Sequence, residues 1–263
     1  MEKMQDALSL FGSYPFRKTD LSWGKFLSTL AGRGFAKTRV VRIEPLFRRN
    51  PYDGSQAFRS GGMAPWIEAR PLFMVNPGYA RTDEIMKERV EGETDAVVLS
   101  PAYHGYKLNS PAAVRCTVGL ARRGVPTVVL GLIEDIRQMH RGYKLRFPVT
   151  PEDAADYLRA VRSAFSGTPK VLLSHFAFAD LRKIEAESGP EVYVDFASSA
   201  THGQPYDQVS DLVELFGEEH VLLSTGFSMK YPSVSLYKLF YSGITARQKE
   251  KISTSNVADF YGR

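Results

Sequence analysis

Residues 150–175 read TPEDAADYLRAVRSAFSGTPKVLLSH and hold one helix-to-strand unit. Thr150 is a capping residue, and Pro151 suits the first helical turn. Glu152 and Asp153 favour the positive end of a helix dipole. This start predicts a helix to about Phe165. The apolar run Lys170–Leu173 then reads as a strand, and the polar pair Ser174-His175 closes it.

The same alternation recurs along the chain. Further apolar runs lie at Ala7–Phe11, Arg39–Ile43, Leu72–Asn76, Ala96–Leu99, Thr127–Leu132, Glu191–Phe196 and Val221–Leu223. Several are almost continuously valine and leucine, the mark of parallel strands buried on both faces. Helical patterns fall between them at Leu21–Leu30, Thr82–Val90, Pro111–Arg123, Phe178–Glu187, Tyr206–Phe216 and Ser233–Tyr241, and Thr245 caps a last one through Ile252. Residues Glu44 to Arg70 are irregular and read as a long loop with a broken helix. Eight strands alternating with helices in 263 residues predict an α/β protein, a (β/α)8 TIM-type barrel spanning 1–263 as one domain. A doubly wound open sheet is the alternative, but no glycine-rich fingerprint follows the first strand.

Composition narrows the class. Hydrophobic residues are 43% and charged residues 24%, which suits a globular chain with a sizeable core. No apolar run approaches the ~20 residues of a membrane span. The start MEKMQDALSLFG lacks a signal-peptide pattern, so the expected location is cytoplasmic. The net charge of +5 is dispersed, so no nucleic-acid partner and no membrane partner is expected; a small anionic ligand fits this balance. The single cysteine, Cys116, reads as a small buried residue of a helix. A homodimer is the expected assembly, with Trp66 and Phe240-Tyr241 as candidate contact residues.

In a barrel, chemistry gathers where strands end. Those positions supply Asn76, Ser100 with Tyr103-His104-Gly105-Tyr106, Glu134-Asp135-Ile136-Arg137, Ser174-His175, Asp195 and Ser224-Thr225-Gly226. His104, Glu134 and His175 are the candidate acid/base residues. Tyr103, Tyr106 and Arg137 are the candidate substrate contacts, the arginine for a carboxylate. His140, His202 and His220 read as surface or loop residues.

These strand ends also carry a family resemblance. Val192-Tyr193-Val194-Asp195-Phe196-Ala197 looks like the seventh strand of the amidohydrolase superfamily, in its amidohydrolase-related branch of metal-dependent hydrolases and decarboxylases. Residues Phe216 to Phe227 (FGEEHVLLSTGF) resemble its eighth-strand pattern FG-x-x-R-V-L-F-G-T-D-F, and Ile244 to Ala258 resemble its closing helix. The stretches 100–106 and 134–137 resemble Y-P-x-Y-H-G-Y and x-E-D-E-R of family members. The resemblance implies a barrel with a metal at its mouth, and here the chain departs from it. The family's first strand reads D-x-H-x-H-x-G; in this chain Asp6 and Gly12 match, while Leu8 and Leu10 stand at both histidine positions. The eighth-strand aspartate falls on Gly226, and His175 alone matches a sixth-strand ligand position. A lone imidazole cannot supply the three or four ligands of a catalytic zinc. The expectation is therefore no cofactor and no tightly bound metal. The implied function is a metal-independent hydrolase or lyase acting on a small carboxylate-bearing substrate. The alternatives are a catalytically inactive homologue serving as a binding or scaffold subunit, and a divergent metal-dependent hydrolase with its ion at His104, Glu134 and His175.

Overall fold

A computed structural model of the chain describes residues 3–16, 19, 21–48, 50–51, 65–82, 84, 86, 94–133, 148–184, 187, 189, 191–197 and 208–262. Its strands are β1 (Met4–Phe11), β2 (Phe35–Arg42), β3 (Glu68–Pro71), β4 (Phe73–Val75), β5 (Val97–Leu99), β6 (Thr127–Leu130), β7 (Val171–Ser174), β8 (Val192–Asp195) and β9 (Val221–Leu222). All pair in parallel, in the orders β1-β2-β3 and β4-β5-β6-β7-β8-β9.

Single hydrogen bonds join these two runs into one closed barrel. Leu72 N donates to Val40 O at 2.9 Å and Phe73 N to Ala96 O at 3.3 Å, so β3 and β4 are one barrel strand interrupted at Leu72. Pro71, which has no N–H to give a ladder, stands at the interruption. On the other side Ala7 N donates to Leu223 O at 2.8 Å and Gly226 N to Leu8 O at 3.0 Å. The ring therefore closes between the first and last strands, as a (β/α)8 barrel requires. Each of the eight apolar runs read from the sequence overlaps one strand of this ring.

The α-helices with described bounds are α1 (Trp23–Ala31), α2 (Pro101–His104), α3 (Pro111–Ala121), α4 (Pro151–Ala164), α5 (Phe178–Ile184), α6 (Gln208–Phe216), α7 (Pro232–Tyr241), α8 (Ala246–Ser253) and α9 (Ser255–Tyr261). Thr150 accepts from Asp153 N as the cap of α4, and Thr245 forms a capping box with Gln248 at α8. The helix expected from Thr82 is present at 82, 84 and 86; its later part lies outside the described residues.

Alternation along the strands sorts two layers. Leu8, Leu10, Val41, Met74, Val98, Val128, Leu130, Leu172 and Leu222 fill the barrel interior. Val40, Val129, Val171, Leu173, Val194 and Leu223 belong to the layer shared with helix residues such as Phe26, Leu30, Tyr157 and Leu212. Leu8 and Leu10 thus point inward as expected. At the opposite end from the mouth, Val257, Phe260 and Tyr261 of α9 close the interior. There the fully buried Arg39 meets Asp95 at 3.5 Å, donates to Gln5 Oε1 at 2.7 Å and lies 4.4 Å from the Tyr261 ring centre. Cys116 corrects the sequence reading: it is only half-buried. Helix α3 buries Ala113, Thr117 and Leu120, one stripe at helical spacing, and Cys116 sits at the edge of that stripe.

Candidate active site at the barrel mouth

The first residue beyond β7 is His175. Its backbone has φ 61, a left-handed conformation uncommon outside glycine, and its side chain is buried. The local fold holds it there through β8. Asp195 Oδ1 accepts from His175 N at 3.2 Å and from Ala197 N at 3.1 Å, and Oδ2 accepts from Ser174 Oγ at 2.5 Å. Ser174 Oγ lies 2.9 Å from His175 Nδ1. With Asp195 ionised, the single serine proton goes to the carboxylate, so Nδ1 must carry the imidazole proton and donate to Ser174 Oγ. That tautomer leaves a lone pair on Nε2, for which the described residues offer no hydrogen-bond partner. Burial, first, and then the charges of Lys230 and Lys238 hold the His175 pKa well below its ordinary value. The ring is therefore a neutral acceptor.

Gly226 makes room for that ring. A Cβ on Gly226 would stand 2.7 Å from His175 Nε2 and 3.6 Å from Lys230 Cδ, and its φ is 60. The side-chain space of residue 226, where the sequence resemblance would put a carboxylate, is thus taken by an approaching imidazole. Two lysines border it. Lys230 donates to Ala197 O, and Lys238, buried on α7, donates to Phe196 O at 3.1 Å. Burial lowers the Lys238 pKa to about 8, with Asp195 opposing the shift.

Asp6 performs a different task. Its carboxylate accepts from Thr225 N at 2.9 Å, Thr225 Oγ1 at 2.8 Å, Thr38 Oγ1 at 3.1 Å and Leu8 N at 3.3 Å. It clasps the closing seam of the barrel, and burial raises its pKa to about 6 despite those donors.

The remaining sequence candidates are spread around the rim. His104, at the end of α2, places Nε2 3.1 Å from Pro45 O in the segment after β2, and burial lowers its pKa. Tyr103 packs on the interior cluster, and its hydroxyl accepts from Ile133 N at 3.1 Å. Tyr106 is half-buried. Glu134, Arg137, His140 and His202 lie outside the described residues. A cavity of about 80 Å³ beside His175 is lined by Ala102, Gly131, Leu132, Val149, Phe176 and Asp180 among others; His104 is not on its wall. His220 is half-buried, with Nδ1 2.9 Å from Val192 O and its ring stacked on Tyr193. Lys230 and Lys238 were missed from the sequence. Lys238 carried a signal: it falls at helical spacing with the buried Pro232, Ser235 and Leu239, on the inward face of α7.

The donor set does not fit the divalent metal that the sequence resemblance implies. Leu8, Leu10 and Gly226 offer no ligand atom at three of its positions, and among the described residues no group of three His, Cys, Asp or Glu converges.

Fold and seam together define a closed (β/α)8 barrel. No family model and no curated protein matches the chain. Solved structures do, and the likeness is one of barrel fold. An amidohydrolase from Burkholderia multivorans, with bound HEPES, superposes with a TM-score of 0.70 at 11% identity over 99% of each chain. 5-Carboxyvanillate decarboxylase from Sphingomonas paucimobilis gives 0.69 at 11% identity, over 92% of this chain and 84% of that one. 2,6-Dihydroxybenzoate decarboxylase from Rhizobium gives 0.68 at 10% identity, over 98% and 99%. At such identities the likeness is one of fold.

Proposed function

We propose that this chain is a metal-independent hydrolase or lyase that acts on a small carboxylate-bearing substrate, with His175 as its base. The Asp195–Ser174–His175 chain carries this reading. It fixes the tautomer and leaves an imidazole lone pair at the mouth, the arrangement a general base needs. His104 and Glu134 are the other candidate acid/base residues, and Tyr103, Tyr106 and Arg137 the candidate substrate contacts. The carboxylate substrate class is supported by the 2,6-dihydroxybenzoate bound to one decarboxylase of this fold.

The experiment is a panel of lactones, esters and aromatic carboxylic acids assayed with a chelator present. Turnover should survive the chelator and fall by roughly 10²–10⁴-fold in His175→Gln, the usual weight of a general base, with melting temperature retained. Turnover that depends on added metal overturns the proposal. A panel with no turnover favours the second reading, a binding or scaffold subunit. The observation behind that second reading is that Leu8 and Leu10 offer no polar atom on the first strand, together with the burial of His175 Nε2.

A further inference from the structure

Helix α7 is patterned in reverse. Its one charged residue, Lys238, is buried together with Pro232, Ser235 and Leu239 on the inward face. Its outward face carries aromatic rings instead. Tyr237 is 57% exposed, Phe240 52% and Tyr241 68%, and Tyr231, at the helix cap, is 78% exposed. Spacings of three and four residues put Tyr237, Phe240 and Tyr241 on one stripe, with the half-buried Ser233 and Val234 one turn before them. A helix that borders water normally turns its charges outward, and α7 turns none.

The exposed area is large for a face with no partner. At roughly 200 Å² per aromatic side chain, these four rings leave about 500 Å² in contact with water. The largest apolar patch on a typical monomer is roughly 300–600 Å². Each partner in a stable interface contributes about 800 Å², so this stripe supplies more than half of one side. The stripe also complements itself. Antiparallel pairing about a two-fold axis at Tyr237 sets Ser233 opposite Tyr241 and Val234 opposite Phe240, small side chains against large ones. With a net charge of +5, two copies of the chain repel each other, and a face without charge is where they meet at least electrostatic cost.

We propose that the outward face of α7 is an interface with a second copy of this chain, the two helices packed antiparallel across a two-fold axis near Tyr237. The interface stands apart from the reaction proposed above and uses none of its residues. The inward face of the same helix brings Lys238 to Phe196 O just beyond β8, so the contact is built one helix away from the strand ends.

The test is sedimentation velocity of the full chain over a range of concentrations. A monomer–dimer equilibrium is expected, and it should hold or strengthen as salt rises, because salt screens the repulsion and leaves the apolar contact. Tyr237→Lys sets two like charges at the axis and should weaken association by roughly tenfold or more, with the melting temperature unchanged. In a Cys116→Ser background, Tyr237→Cys should form a disulfide between copies under mild oxidation. A mixture of Ser233→Cys and Tyr241→Cys chains should also crosslink, while neither does so alone. A monomer at every concentration, a dimer indifferent to Tyr237→Lys, or crosslinking by Ser233→Cys alone overturns the inference. A monomer that binds neutral lipid vesicles, and loses that binding in Tyr237→Lys, assigns the face to a membrane surface and overturns it as well.

Discussion

Gly226→Ala is expected to destabilise the protein through His175 specifically. The new Cβ would stand 2.7 Å from Nε2 and 3.4 Å from Cε1 of a ring that Ser174 and Asp195 pin in place. Left-handed backbone at φ 60 adds about 1 kcal/mol for a residue with a Cβ. Overpacking against a fixed neighbour adds about 1–3 kcal/mol. The sum, about 2–4 kcal/mol, corresponds to a melting temperature lower by roughly 5–15 °C in a chain of this size. The control is the same substitution in a His175→Asn background. Asparagine tolerates the positive φ of position 175 and lacks the two ring atoms that would clash. There only the backbone cost should remain, so urea denaturation should give a coupling energy of about 1–3 kcal/mol between the two sites. Equal costs in the two backgrounds, within about 0.5 kcal/mol, would refute the idea that the imidazole occupies the side-chain slot of residue 226.

Asp6 has a folded pKa of about 6 against 3.8 unfolded, so its stabilising contribution is complete below the unfolded value and is lost as pH rises through 6. Roughly two units amount to about 3 kcal/mol, and Asp6→Asn should flatten the stability profile between pH 4 and about 7 by that order. Arg39→Ala should cost about 3–5 kcal/mol by chemical denaturation, because it strips a buried partner from Asp95; a cost near zero would show the pair to be dispensable. The dimer expected from the sequence is checked by light scattering. Trp66, Phe240 and Tyr241 are all more than half exposed, so Tyr241→Ser with Phe240→Ser should shift a dimer toward monomer, and a wild-type monomer at high concentration ends that expectation.

The barrel was legible because its strands are buried on both faces. Runs such as Thr127–Leu130 and Val171–Leu173 leave no polar alternation that a half-exposed strand would require, and helix starts at Thr150 and Thr245 carry their caps in the sequence. The mouth was legible only in part. His175 was visible as a polar residue ending an apolar strand. Its tautomer was not, because that depends on Ser174 sharing its proton with Asp195 across two strands. Asp6 looked like the remnant of a ligand motif. Its real partners, Thr225 and Thr38, lie 219 and 32 residues away, and spacing alone does not reveal them. Lys238 escaped because a charged residue on a helix usually reads as a solvated one, and Lys230, in the turn before α7, had no periodic pattern around it to mark it.

The way the ring shuts has a bearing on how the chain is made. Residues 7–10 of β1 bond to Leu223, Gly226 and Phe227, and Ala7 O accepts from the Tyr261 hydroxyl 254 residues later, at 2.6 Å. On the ribosome the first strand to emerge must wait for almost all the others before its second edge is covered. During that interval its apolar groups and open edge are a target for holding chaperones and for association between nascent chains. Such distant pairing also slows folding, since loop closure precedes any gain from the contact. Synthesis rate and chaperone supply should therefore govern the yield of this barrel more strongly than its final stability does.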